Sequence, residues 1–115
     1  MSQRLCNVTT GTILASNVIE ARTFWQRTVG FLGREHIASD DGLWISDCSS
    51  IHTIGMRTAI DIFFLDRQGY VLRIAHSVAP NIAHLSCPLA TTVVETGTAV
   101  HLGHDVLIGD KLALT

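Results

Sequence analysis

The sequence has few cysteines, few prolines and no long apolar run, and each shortage excludes a class of protein. No C-x-x-C pair occurs among the three cysteines, Cys6, Cys48 and Cys87, which excludes a zinc ribbon and a thioredoxin-type redox motif. Because an odd number of cysteines cannot all pair within one chain, we expect reduced thiols. The longest apolar run covers only residues 62–65, far too few to span a bilayer, so we predict no membrane partner.

An excess of charge of either sign is also missing. Eight basic and ten acidic side chains leave a formal net charge of −2. Such a chain has no sequence-wide attraction to phosphates, and we therefore predict no nucleic-acid partner. Residues 1–7 lack the apolar run of a signal peptide, which favours a cytoplasmic location.

The common catalytic and nucleotide-binding motifs are absent too. The sequence contains no P-loop, no dinucleotide fingerprint, no G-x-S-x-G elbow and no H-E-x-x-H motif, and we predict no cofactor. What is present is the composition of a globular domain, because 47% of the 115 residues are hydrophobic and no linker or internal repeat interrupts them. The sequence therefore predicts a single domain over residues 1–115.

The pattern of side chains predicts mostly strands. The apolar run bounded by Asp61 and Asp66 predicts a strand, Ile60–Leu65, that is buried on both faces. Alternating or β-branched residues predict further strands at residues 5–9, 12–19, 43–46, 70–76, 91–96 and 106–114.

One principal helix is predicted at about residues 24–31. Thr23 and Gln26 have the spacing of a capping box, in which each side chain bonds the backbone amide of the other residue. Phe24 and Phe31 fall on one face, which we expect to pack on the sheet because so short a helix cannot stand alone. The predicted fold class is therefore α+β, a single compact domain with a curved or barrel-like, mainly antiparallel sheet and this one helix.

The stretch IHTIGMRTAIDIFFLD, at residues 51–66, resembles the signature of an uncharacterised family, the domain of unknown function 192. Shorter matches occur in the order in which the family has them: GFLGR at residues 30–34, GLWI at 42–45, VVETG at 93–97 and a Gly-Asp pair at 109–110. Phe31 replaces the family's usual leucine, and one residue fewer follows Glu95. The resemblance covers about residues 15–114 and implies a small β-rich fold, without an established activity.

Six side chains able to bind a ligand or do chemistry lie within residues 48–61, which we call the central segment. They are Cys48, His52, Thr53, Met56, Arg57 and Asp61. One interpretation is a ligand pocket, or a nucleophile pair in which His52 takes the proton of the Cys48 thiol. In an extended strand these two side chains would lie about 13 Å apart, so a catalytic pair requires a bend. The structural interpretation is that Met56 fills the core and that Arg57 forms a salt bridge.

Asp61 is expected to organise the central segment. Four apolar residues follow it directly, so its carboxylate lies where a strand enters the core and needs partners there. We expect hydrogen bonds from the loop at residues 53–59, an ion pair with Arg57, or both. Gly55 would let this loop turn sharply enough to present its amides.

Two short pairs of potential metal ligands lie outside the central segment, His84-x-x-Cys87 and His101-x-x-His104. Zinc requires four such ligands in a tetrahedral arrangement. Because two-residue spacers are common by chance in a chain with six histidines, we predict surface histidines and no metal site. Whether these four residues converge is open at this point.

Glu95 follows two valines at the end of a predicted strand and is expected to point inward. A buried carboxylate needs a partner, and Arg27, Arg34 and Arg57 are the candidates. We predict a structural ion pair for Glu95 rather than a role as general base.

These observations favour a non-catalytic small domain that binds a small polar ligand or a protein partner through the central segment. One alternative is a small hydrolase-type enzyme that uses Cys48 with His52, or Asp61. The other is a metal-binding or purely structural module.

Overall fold

Strands are the only regular elements in the computed structural model, which describes residues 3–22, 30–98 and 106–115. Nine strands lie within these ranges: β1 (Gln3–Asn7), β2 (Thr12–Ala21), β3 (Asp41–Ser46), β4 (Ser50–Ile51), β5 (Ile60–Leu65), β6 (Val71–Val78), β7 (Leu85–Ser86), β8 (Thr92–Gly97) and β9 (Leu112–Leu114).

The predicted α+β class is wrong, because the described residues form an all-β fold. The helix predicted at residues 24–31 falls mainly on residues 23–29, which lie outside the described residues. Its last two residues, Gly30 and Phe31, lie in a turn, where the amide of Arg34 donates to the carbonyl of Phe31 over 3.3 Å. The capping-box residues, Thr23 and Gln26, lie outside the described residues as well.

Seven of the strands form one sheet, in the order β6-β5-β8-β3-β2-β1-β9. Neighbouring strands are antiparallel except β2 and β3, which are parallel. The two ends of this order also meet, because Tyr70 and Lys111 form a bridge and the amide of Leu112 donates to the carbonyl of Gly69 over 2.9 Å. Gly69, with φ 95°, permits this approach, since an added Cβ would lie 2.6 Å from the carbonyl oxygen of Leu112. The sheet therefore closes on itself as a barrel.

Apolar side chains form two clusters, one on each face of this sheet. The first, which we call the inner cluster, includes residues of β6 and β9 and so lies inside the barrel: Leu5, Ala15, Val18, Phe63, Leu65, Val71, Val94, Val106 and Leu112. The second, the outer cluster, joins outward-facing strand residues to residues of the connecting segments: Ala21, Phe31, Ile37, Leu43, Ile45, Met56, Ile60, Ile62, Phe64, Ala90 and Val93.

The central strand β5 contributes to both clusters. Ile62 lies in the outer cluster and the next residue, Phe63, lies in the inner one. Every residue of β5 is buried. The prediction of a strand at Ile60–Leu65 that is buried on both faces is confirmed.

A second layer covers the outer cluster. β4 and β7 pair antiparallel as a separate two-stranded sheet, with Ile51 opposite Leu85. Both of these side chains pack against the outer cluster, as do Cys48 and Cys87. Most of the central segment therefore lies outside the barrel, over one side of its wall.

Candidate functional site

Two of the predicted site residues hold the central segment in place. Thr53 is fully buried, and its hydroxyl donates to the carbonyl of Ala79 over 2.7 Å and accepts from the amide of Ile82 over 2.8 Å. Met56 is a buried member of the outer cluster. Both side chains therefore connect the segment to its surroundings, because their functional groups face protein atoms.

Cys48 and His52 each form a hydrogen bond within their own stretch of backbone. The thiol of Cys48 donates to the carbonyl of Ser50 over 3.1 Å. His52 is exposed, and its Nδ1 accepts from the amide of Ile54 over 3.2 Å. Within the described ranges the structure contains no hydrogen bond that would join the thiol to the imidazole, as a nucleophile pair requires.

The structure gives Asp61 and Arg57 different partners. The neighbours of Asp61 along β5, Ile60 and Ile62, belong to the outer cluster, so the Asp61 side chain is on the inner side of the strand. Its Oδ1 accepts from the amide of Ser77 over 2.7 Å, so the bond comes from β6. The guanidinium of Arg57 pairs instead with Glu35 over 3.0 Å, where both side chains are exposed.

We expect Asp61→Asn to lower the free energy of unfolding by about 1–3 kcal/mol, because the Ser77 amide loses a charged acceptor in a buried site. Arg57→Ala should cost less than about 1 kcal/mol, because exposed ion pairs contribute little. Urea unfolding of both variants beside the wild type measures the difference. An Asp61→Asn variant as stable as the wild type would contradict the organising role of this carboxylate.

The potential metal ligands do not assemble in the described part of the chain. No group of three or more His, Cys, Asp or Glu side chains there has the arrangement of a metal site. His84 is exposed, whereas Cys87 packs against the outer cluster. His101 and His104 lie outside the described residues, so the absence of a metal site stays a prediction.

Glu95 is buried in the wall of the barrel, with 7% of its surface exposed. On the neighbouring strands it lies opposite Leu43 and Ile62, which are both in the outer cluster. Burial raises the pKa of the Glu95 carboxyl to about 7. Arg34 pairs with Asp41 over 3.1 Å, and Arg27 lies outside the described residues, so an ion pair of Glu95 with Arg27 stays a prediction.

A pocket of about 340 Å³, which we call the mouth pocket, opens at the end of the barrel where β5 ends and β8 begins. Its wall includes Trp44 and Leu114, which pack against the inner cluster, so the pocket opens above the inner core. Polar groups surround this apolar base. They belong to Gln3, Glu20, Thr92, Lys111 and the β5–β6 turn at residues 66–69.

Hydrogen bonds hold the acidic groups of the mouth pocket. Oε1 of Glu20 accepts from Gln3 over 3.1 Å and from Arg22 over 2.8 Å, and the bond from Arg22 lowers the pKa of the Glu20 carboxyl. Oδ1 of Asp66 accepts from the amides of residues 68 and 70 and so closes the turn. The ammonium of Lys111 lies 5.7 Å from the ring centre of Tyr70.

The sequence analysis did not identify the mouth pocket. Its residues come from five strands, one turn and Lys111, which are far apart in the chain. The one local signal is on β3, where Trp44 is half-buried between buried Leu43 and Ile45; its register partner on β2 is Glu20. Using this signal requires knowing that β2 and β3 pair in parallel. The alternation of side chains along a single strand does not reveal which strand is its partner.

A comparison with protein families decides the membership of this chain. The model of the domain of unknown function 192, described as an uncharacterised ACR, matches residues 6–114. The chain belongs to this family. The resemblance predicted from the central motif is confirmed, and Glu20, Trp44 and Lys111 lie within the matched range. No curated protein matches the chain.

Two solved structures share the fold of this family member. A protein of unknown function from Novosphingobium aromaticivorans DSM 12444 is 19% identical, with a TM-score of 0.80 over 96% of this chain and 83% of the other. A protein from Sinorhizobium meliloti 1021 that is named a "putative transcription regulator" is 20% identical, with a TM-score of 0.81 over 97% of this chain and 91% of the other. At these sequence identities, the structural similarity shows only that the proteins share a fold. Across the described ranges, no helix is long and apolar enough to cross a membrane.

Proposed function

We propose that this protein is a non-catalytic domain that binds a small polar ligand in the mouth pocket. The observation that carries the proposal is an open pocket in which apolar Trp44 and Leu114 lie among amide, hydroxyl, carboxylate and cationic groups. Ligand sites of this kind combine an apolar wall with a few oriented polar groups, and the mouths of β-barrels are common places for them.

The contacts of the central segment support a structural role for most of it. The hydroxyl of Thr53 already has a donor and an acceptor partner, and Met56 fills the outer cluster. A ligand at the central segment stays the second candidate, since His52 and Arg57 are exposed there. The hydrolase alternative has less support, because the Cys48 thiol bonds a backbone carbonyl and not an imidazole.

The name of the Sinorhizobium protein does not transfer to this chain. A protein that binds DNA through phosphates has an excess of basic side chains, whereas this chain has a formal net charge of −2. The proposed ligand is therefore a small molecule. The cytoplasmic location stays a prediction.

The mouth pocket can be tested by nuclear magnetic resonance with the labelled protein. We would titrate four probe classes: neutral sugars, amino acids, nucleotides and inorganic anions. At least one class should shift the backbone amides of residues 3, 20, 44, 66–69, 92 and 111–114, because these line the pocket. The exposed His52 and Ile54 report on the central segment in the same spectra. Shifts confined to the central segment, or no shifts with any class, would overturn the proposal.

A further inference from the structure

The character of the mouth pocket suggests which class of polar ligand it takes. We infer that the ligand is a neutral, hydroxyl-rich ring, such as a pyranose sugar, whose apolar face lies on Trp44 and whose hydroxyls bond Glu20 and Gln3. This inference rests on the proposed function, because it names the chemistry of the ligand in the same pocket.

The aromatic wall favours a ligand with a flat apolar face. Trp44 is half-buried, packs against the inner cluster and still lines the pocket. An indole ring supplies a large apolar surface with little conformational entropy to lose. The C–H groups on one face of a pyranose match such a surface, whereas an extended flexible ligand would lose more conformational entropy there.

The groups beside Trp44 suit hydroxyls, which both donate and accept hydrogen bonds. The Glu20 carboxylate is an acceptor, and its orientation is held because Oε1 already bonds Gln3 and Arg22. Gln3 can also accept, and Thr92 adds a hydroxyl to the wall. Two adjacent hydroxyls on a ring can therefore bond a carboxylate and an amide that are fixed relative to each other.

The charges of the pocket argue against an ionic ligand. Two acidic side chains, Glu20 and Asp66, face two basic ones, Arg67 and Lys111, so the wall has no net excess of charge. The acidic pair is already bonded, to Arg22 and to the amides of the turn. A phosphate or carboxylate beside Trp44 would be repelled by the Glu20 carboxylate, whereas a neutral hydroxyl can donate to it.

The inference is tested by titrating the protein with glucose, galactose, mannose, N-acetylglucosamine, maltose and cellobiose, each followed by amide shifts of the mouth pocket. We expect at least one of these sugars to bind, with inorganic phosphate and glutamate giving no shifts there. Trp44→Ala should weaken binding of that sugar about tenfold or more, and Trp44→Phe should retain most of it, because the platform remains. Glu20→Gln should also weaken it, by about tenfold, because the charge-assisted bond is lost.

Matched controls separate a binding effect from unfolding. Leu89→Ala changes an exposed side chain that does not line the mouth pocket and should leave sugar binding unchanged. Thr92→Val retains the shape of the side chain on the pocket wall but removes its hydroxyl. It provides a second variant if Trp44→Ala does not fold. If phosphate or glutamate shifts the mouth amides and no sugar does, the ligand class is wrong and the proposed function stands. If a sugar shifts only amides of the central segment, the mouth pocket itself is refuted.

Discussion

Replacing Glu95 by Gln should remove a fall in stability of about 3 kcal/mol that we expect of the wild type between about pH 4.5 and 7. The folded-state pKa of about 7 lies above 4.5, the ordinary pKa of a glutamate side chain. Between these values the folded state binds more protons than the unfolded state, so the free energy of unfolding falls as pH rises. The stability that the protonated Glu95 carboxyl contributes is fully present below pH 4.5, where both the folded and the unfolded state are protonated. It is lost above about pH 7. A difference of about 2.5 pKa units corresponds to about 3 kcal/mol.

The measurement is the pH dependence of urea unfolding for the wild type and Glu95→Gln. The readout is how the difference in free energy of unfolding between the two proteins changes with pH. The absolute free energies are not compared, because a buried glutamine amide lowers stability at every pH. Glu35→Gln is the matched control, since Glu35 is exposed beside Arg57, and its curve should follow that of the wild type. Parallel curves for the wild type and Glu95→Gln would show that burial does not raise the pKa of the Glu95 carboxyl.

Replacing Phe31 by Ala should lower the free energy of unfolding by about 3–5 kcal/mol, which is the usual cost of removing a buried aromatic ring. Phe31 is 3% exposed and belongs to the outer cluster, although it lies in a turn. The guanidinium carbon of Arg34 also lies 5.3 Å from its ring centre, so the substitution removes a cation–π contact as well. Urea unfolding at a single pH measures the loss.

Leu89→Ala is the control for this experiment. Leu89 is an apolar residue that is 81% exposed, and removing its side chain should change stability by no more than about 0.5 kcal/mol. Equal urea-unfolding midpoints for Phe31→Ala and Leu89→Ala would contradict the burial of Phe31. The turn at residues 30–33 would then not pack against the outer cluster.

Local patterns in the sequence predicted several strands with small errors at their ends. The strand predicted at residues 91–96 is β8, Thr92–Gly97, and the one predicted at 43–46 is β3, Asp41–Ser46. β4 and β7 were not predicted. They are two residues long each, and so short a ladder has too few residues to show a period.

One pattern failed because of a bulge. The sequence predicts that Leu72 and Ile74 share a face of β6, as residues two apart normally do. In the structure Leu72 packs against the outer cluster and Ile74 against the inner one. The register of β5 and β6 shifts between Phe64 and Leu65, so one extra residue of β6 is accommodated there. Such a bulge depends on the partner strand and leaves no period of its own in the sequence.

The sequence by itself determined the family, the placement of most strands and the burial of β5, because apolar runs and a motif of sixteen contiguous residues are local properties. Only the tertiary structure decided that β6 and β9 meet to close the barrel and that Glu20 and Trp44 line one pocket. It also decided that Asp61 and Arg57 bond different partners, although they are four residues apart. Asp61 lies on β5, whereas Arg57 lies in the loop between β4 and β5, so residues that are close in sequence have different surroundings. The reverse holds at the mouth pocket, where strand pairing joins residues that the chain keeps far apart.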